Sequence, residues 1–467
     1  MFLSIECKPD EKVALIDDSY CTLTYGELKQ FSKEFKEKLE KRSVIFIMCS
    51  NAIGAVAGFY SCIENKIVPL LLDKDIDQTL LDKLVEIYRP QYFWAPLSMR
   101  NKFYKEKDVW NALEYCLLET DDSLYEINKE LSLLLTTSGS TGSPKLVRHS
   151  YKNLEYSYKT VASFFGFLPT DNGMADLPMQ YTMGLSVICS HLYAGAKVTL
   201  TNHSLMNPEF WDRLQKEKIT DFTGVPFSYE VFDRLGFFRK NMPDLRILAE
   251  GGGRLSDQLY HKIAGYANAY GKQFFATFGT TETTARLSYL APELALEKTG
   301  SIGRAIPGGE LFLCDGSKRR IEEAVAEGEL GYTGENVTMG YAYCRDDLLK
   351  GDERKGIYIT GDIAKRDEDG CYYIIGRSAR FLKLYGLRIS LDQCERLIRD
   401  EFNIDCACTG NDKLMRIYIS ENESKYRIVD FISEKTHLFR NIFKVNYIPQ
   451  IPRSSTGKIL YKELEER

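Results

Sequence analysis

The sequence predicts an α/β protein: a large N-terminal domain with mixed and parallel sheets and a β-rich subdomain, plus a small C-terminal α+β domain. Three observations carry this expectation. Apolar runs of strand length alternate with amphipathic helical segments over the first two-thirds of the chain. Short β-like pieces punctuated by Gly and acidic residues crowd together from about Gly328. A compact tail follows Gly376-Arg377-Ser378. At roughly 150 residues per domain, 467 residues correspond to about three folding units.

Taken in order, residues 25–41 place Leu28, Phe31, Phe35 and Leu39 at helical spacing, with Lys and Glu between them. Residues 44–48 form an apolar β-rich run of the kind buried on both faces of a sheet. A helix over 55–63 and another buried strand over 67–72 follow. Strand–helix–strand alternation predicts parallel pairing with crossover helices. The pattern recurs in strands over 197–200, 219–223, 245–249 and 273–277. Later pieces at 328–330 and 358–362 precede Asp369-Gly370, a hairpin signal before 371–375. The tail carries a helix over 391–401 and short strands. The expected division is 1–377, with its β-rich part over about 300–377, and 378–467.

Composition narrows the function. Apolar residues make up 44% and charged residues 27%, an ordinary globular balance that excludes disorder as the main state. The 61 basic and 66 acidic side chains leave −5, which gives no electrostatic footprint for nucleic acid or an anionic membrane. No apolar run approaches the ~20 residues that span a bilayer, and the start lacks a signal-peptide pattern. Twelve cysteines are scattered, several (Cys49, Cys62, Cys189) in apolar segments, and five histidines include no adjacent pair, which argues against a zinc enzyme. Cys406 and Cys408 fall on one face of an expected strand and read as packed thiols rather than a metal or redox pair. These readings point to a reduced, soluble, cytoplasmic protein.

The strongest local feature is Leu133-Leu134-Leu135-Thr136-Thr137-Ser138-Gly139-Ser140-Thr141-Gly142-Ser143-Pro144-Lys145. A buried-strand run leads into a loop of glycines, hydroxyls and a lysine. Such a loop suits a polyphosphate, because Gly permits close backbone approach while N–H, O–H and ammonium groups meet the oxygens. Pro144 before the lysine rules out a Walker A loop. Taken alone, such a loop is more often a flexible connection.

Residues 137–145 match [ST]-[ST]-G-[ST]-T-G-x-P-K, and with this motif the chain resembles the adenylate-forming superfamily of acyl-CoA synthetases, luciferases and peptide-synthetase adenylation domains. Further matches follow in the family's order: Thr24-Tyr25-Gly26-Glu27-Leu28, Pro178 to Gly184, Gly251-Gly252-Gly253, Phe278-Gly279-Thr280-Thr281-Glu282, Gly328 to Tyr341, Tyr358 to Asp362, Gly376-Arg377 and Pro452-Arg453 to Lys458. The resemblance thus covers nearly the whole chain. It implies ATP-dependent activation of a carboxylic acid to an acyl-adenylate with release of pyrophosphate, then transfer to the thiol of coenzyme A or of a phosphopantetheine on a separate acyl carrier protein. It also implies a mobile C-terminal lid.

By the resemblance, Lys458 bridges the carboxylate and α-phosphate, Thr281 donates to the α-phosphate and Glu282 holds Mg²⁺. Thr137, Ser138, Gly139, Ser140, Thr141, Gly142 and Lys145 hold the phosphates of ATP. Phe278, Gly279 and Thr280 with the turn Gly251, Gly252, Gly253 hold the adenine side, while Asp362 and Arg377 hold the ribose. Charge builds on phosphorus oxygens as one anion attacks another, so placed cations are the main catalytic need. Tyr181, Thr182 and Gly184 fall at the acid pocket. Amino-acid-activating relatives carry an aspartate where Thr182 stands, so a non-amino acid is expected. Arg286 reads first as a surface arginine, and second as lining the same cleft, where it would attract another anionic group. The hinge falls on Ser378 and Ala379, with alanine replacing the family's aspartate. Two other readings stay open: an amino-acid ligase serving a carrier protein, and a non-catalytic nucleotide-binding regulator.

Overall fold

The computed structural model describes residues 2–39, 41–103, 106–136, 145–377, 380–384, 387–411, 413–421, 425–436, 438–454 and 457–465. An eight-stranded sheet has at its centre Leu131–Thr136, Val68–Asp73, Val44–Cys49 and Tyr92–Pro96, all parallel. Antiparallel strands close both of its edges. Every residue of Val44–Cys49 is buried, as a continuous apolar run in a covered sheet requires. A nine-stranded sheet runs parallel from Gln273–Phe278 through Ile247–Glu250, Asp221–Gly224, Asn172–Ala175 and Lys197–Leu200 to Val13–Ile16. Antiparallel strands flank it too, so both sheets are mixed.

One apolar core joins the two sheets. Ile45, Ile47 and Leu71 of the first meet Leu15, Val198 and Leu200 of the second through the helices Ile53–Glu64 and Thr182–Ala194. The Tyr25–Glu37 helix opens at a capping box, where the Thr24 hydroxyl accepts from Glu27 N and the Glu27 carboxylate accepts from Thr24 N. Its Leu28, Phe31 and Phe35 are buried, as the spacing predicts.

The β-rich part is a four-stranded antiparallel sheet of Glu310–Cys314, Ala326–Thr333, Ile357–Arg366 and Tyr372–Arg377. The Asp-Gly turn forms as expected: Asp367 Oδ1 accepts from Asp369 N and Cys371 N, and Gly370 takes φ +73°. Gly340–Ala342 departs from this pattern by leaving the β-rich sheet to pair with Leu146–Ser150.

The tail folds around Cys406–Asn411, Leu414–Ile419 and Phe443–Tyr447, with helices Leu391–Phe402 and Lys425–Thr436. Its two apolar clusters contain only residues from Leu382 onward, while the clusters of the rest end at Tyr373 and Ile374. Cys406 and Cys408 face one cluster and Ala407 the other, so the two thiols are packed core. All twelve cysteines are free, and Cys7, Cys21 and Cys344 are the exposed ones. No described helix is long and apolar enough to cross a membrane.

One hairpin escapes the sequence reading. Lys107–Ala112 and Tyr115–Glu119 pair through Leu113 and Glu114, at φ +50° and +61°. Neither is the Gly, Asn or Asp that normally marks such a turn.

Candidate active site

Tyr181, Thr182 and Gly184, expected at the acid pocket, sit where the Thr182–Ala194 helix begins. Tyr181 caps that helix without a side-chain hydrogen bond, and Tyr181 and Thr182 stay half-buried. Gly184 is required by close approach: a Cβ there would lie 2.5 Å from the carbonyl oxygens of Leu177 and Pro178. Met183 reaches across to the glycine turn, so that a Cβ on Gly251 would meet its Cε at 2.8 Å. Gly252 takes φ +80°, and a Cβ on Gly253 would strike Pro226. The first turn of the helix is therefore packed against the Gly251–Gly253 turn.

The loop after Phe278 is held in an unusual shape. A Cβ on Gly279 would lie 1.5 Å from the Ala285 carbonyl oxygen, and Thr284 and Ala285 take φ +49° and +82°. The surroundings hold this conformation in place. Asn336 donates to the carbonyls of Thr283 and Arg286 at 2.7 and 2.9 Å, and Ser157 Oγ donates to that of Thr284 at 2.5 Å. Thr280 caps the short helical turn Thr281–Thr283, which carries Glu282. Phe278 is half-buried against the β-rich sheet.

Glu282 is gripped at both ends. Its carbonyl accepts from Thr338 N at 3.0 Å and Thr338 Oγ1 at 3.1 Å, and its Oε1 accepts from Tyr341 OH at 2.7 Å. Lys145 Nζ lies 3.5 Å from the centre of the same Tyr341 ring. Arg354 is stacked between Tyr341 and Tyr358, at 4.5 and 4.8 Å from their centres. Sequence reading misses Tyr341 and Arg354 as site residues, although Tyr341 closes one of the matched motifs.

Asp362 and Arg377 are register partners on neighbouring strands, joined Nε to Oδ1 at 3.1 Å. Asp362 is buried, and desolvation raises its pKa against the pull of Arg377. Lys458 belongs to the tail, in a turn where Ser454 Oγ accepts from its N–H at 3.2 Å. The residue is exposed along its length, yet its ammonium couples to Arg377 and Glu282 of the body. Desolvation, then repulsion from Arg377, lowers its pKa.

One correction, one addition and one omission concern charged groups. Arg286 is no surface residue: it is 1% exposed and donates to Ser186 Oγ at 2.6 Å. Asp392 bridges two residues that sequence reading does not link: it accepts from Arg377 N at 3.2 Å and from Arg380 Nε at 2.5 Å. Glu250, immediately before Gly251, is the omission; it is buried, and desolvation pushes it up to about 8. Thr137, Ser138, Gly139, Ser140, Thr141 and Gly142, with Ser378 and Ala379, lie outside the described residues.

A family model described as AMP-binding enzyme matches residues 3–342. The chain belongs to the AMP-binding enzyme family. This AMP-binding enzyme is 28% identical over 360 residues to the delta-poly-L-ornithine synthetase of Acinetobacter baumannii, a match covering 72% of the chain but 26% of that relative. It is 22% identical over 483 residues to the 2-succinylbenzoate–CoA ligase of Bacillus subtilis, covering 98% and 95%. Its fold overlays on the Bacillus subtilis O-succinylbenzoate coenzyme A synthetase in complex with AMP with a TM-score of 0.81, at 21% identity, covering 99% and 97%. The fold also overlays on that same synthetase in complex with ATP and magnesium ion, with a TM-score of 0.78 at 20% identity.

Proposed function

We propose that the chain activates a non-amino carboxylic acid as its adenylate and passes the acyl group to coenzyme A. The observation that carries this reading is the Glu282 carboxylate held by Tyr341, whose ring also meets the Lys145 ammonium, together with the Asp362–Arg377 pair. The Lys458 ammonium feels the charges of Glu282 and Arg377.

In this reading Lys458 draws the acid carboxylate toward the α-phosphorus and offsets the charge growing on the phosphate oxygens. Its partly desolvated setting strengthens that interaction. Thr281 and Lys145 donate to phosphate oxygens, Asp362 accepts from the ribose hydroxyls and Arg377 holds Asp362 in place. Phe278 and the open Gly251–Gly253 turn accept the flat adenine. The donor set fits Mg²⁺: a hard ion takes one carboxylate together with substrate phosphates, and Tyr341 fixes one oxygen of Glu282 and leaves the other. When bound, the ion neutralises phosphate charge. The division at 377/378, with the tail as a moving lid, is supported by the separate apolar cores on either side of it.

Coenzyme A as acceptor is supported by the activities of the ligases this chain resembles along nearly its whole length. A second reading, an amino acid substrate, rests on Glu250, whose buried Oε1 has no hydrogen-bond partner among the described residues. Acid-dependent ATP–pyrophosphate exchange across short, branched, aromatic, hydroxy and amino acids tests both. Exchange confined to non-amino acids upholds the first reading; exchange confined to amino acids replaces it with the second.

A further inference from the structure

Among the described residues, three arginines are almost wholly buried, and their partners differ. Arg148 pairs with Glu353 and donates to the carbonyls of Tyr341 and Lys350 at 3.0 and 2.5 Å. Arg213 has Asp18 Oδ1 at 3.6 Å. Arg286 has no carboxylate among the described residues: its Nη1 donates to Ser186 Oγ, its guanidinium lies 5.3 Å from the Phe165 ring centre, and Nε and Nη2 are without a partner there. Burial alone shifts it, down to about 10, so it remains a cation at neutral pH. A buried cation without an anion is costly for a fold to hold.

The two free nitrogens lie on one edge of the guanidinium. The Nε–Nη2 edge presents two parallel N–H groups at the spacing of carboxylate oxygens. The place of the residue is equally specific. Ser186 lies one helical turn beyond Thr182, on the same face of the acid-side helix. The Arg286 backbone lies against Gly279, beside Phe278.

We propose that the Nε–Nη2 edge of Arg286 is an anion subsite within the acid pocket, and that the acid this enzyme activates is a dicarboxylate. One carboxylate goes to Lys458 for adenylation, and the other closes the unpaired edge of Arg286. The inference rests on the ligase reading above and adds the class of acid to it. A neutral group in the second position would leave the buried cation unpaired, and such a site rejects a substrate lacking the matching group.

The test is pyrophosphate exchange by the full chain with aliphatic and aromatic dicarboxylic acids, each beside its half-amide. At least one diacid should exceed its half-amide by about 100-fold or more in kcat/KM. In R286M the gap should fall below about 10-fold while ATP binding, followed by calorimetry, is retained. Half-amides or monocarboxylic acids used within about 10-fold of the diacids by the unaltered enzyme would overturn the proposal. So would stimulation of monocarboxylate exchange by millimolar sulfate with no diacid advantage, which would mark a free-anion site. If R286M fails to fold, the unaltered enzyme's preference still decides. Absence of exchange with every acid removes the ligase reading itself, and this inference with it.

Discussion

In the proposed reaction the chemistry turns on Lys458, whose ammonium feels the charges of Arg377 and Glu282. Lys458→Ala is expected to cut pyrophosphate exchange by about 10²–10³-fold while ATP still binds, as measured by exchange and calorimetry. Unchanged exchange would refute its role. Glu250 makes a different prediction, about stability. Its carboxyl has an ordinary pKa of 4.5 and is pushed up to about 8 in the fold, so the native state keeps a proton that the unfolded chain has released. Stability is then full below about 4.5 and is lost as pH rises toward 8. Glu250→Gln should therefore raise the melting temperature little at pH 5 and progressively more toward pH 8; a pH-independent difference would contradict this. Glu250 escapes sequence reading because an isolated Glu before three glycines gives no sign of its burial. Arg286 is misread for the same reason, since spacing from Glu282 does not say which way the chain turns at Ala285.

Elements are more legible than single residues. The strands over 44–48 and 273–277 can be read because short β-rich pieces between helical segments suit a parallel sheet, and Asp369-Gly370 because its turn needs φ > 0. The Leu113–Glu114 hairpin cannot, since neither residue signals the conformation it takes. Gly340–Ala342 is equally hidden: three residues carry no period, and a long-range pairing with Leu146–Ser150 decides their place. That pairing matters for function. It sets Tyr341 against Glu282 on one side and Lys145 on the other. Tyr341→Phe keeps the ring under Lys145 but removes the hydrogen bond to Oε1. The Mg²⁺ concentration for half-maximal exchange should rise several-fold with little change in melting temperature, and an unchanged Mg²⁺ requirement would show that the hydroxyl does not position Glu282.

At the scale of the molecule, the apolar clusters of the tail and those of the rest share no residue among those described. Asp392 spans the junction, taking the Arg377 N–H on one side and the Arg380 side chain on the other. Arg380 also pairs with Glu395 at 2.6 Å and lies 3.6 Å from the Tyr461 ring centre, which ties it to the tail. Asp392→Ala should leave adenylate formation within a few-fold and slow the thioester step about tenfold, measured separately by single-turnover assays. Equal effects on both steps would remove the junction role. The position of the exposed thiols has a practical consequence for such work. Cys344 follows the Tyr341 strand by two residues, and the nine thiols other than Cys7, Cys21 and Cys344 are buried. With Cys7 and Cys21 replaced by serine, a maleimide fluorophore would attach at one native position beside Glu282's tyrosine, giving an optical signal for metal and nucleotide arrival without a cysteine being introduced.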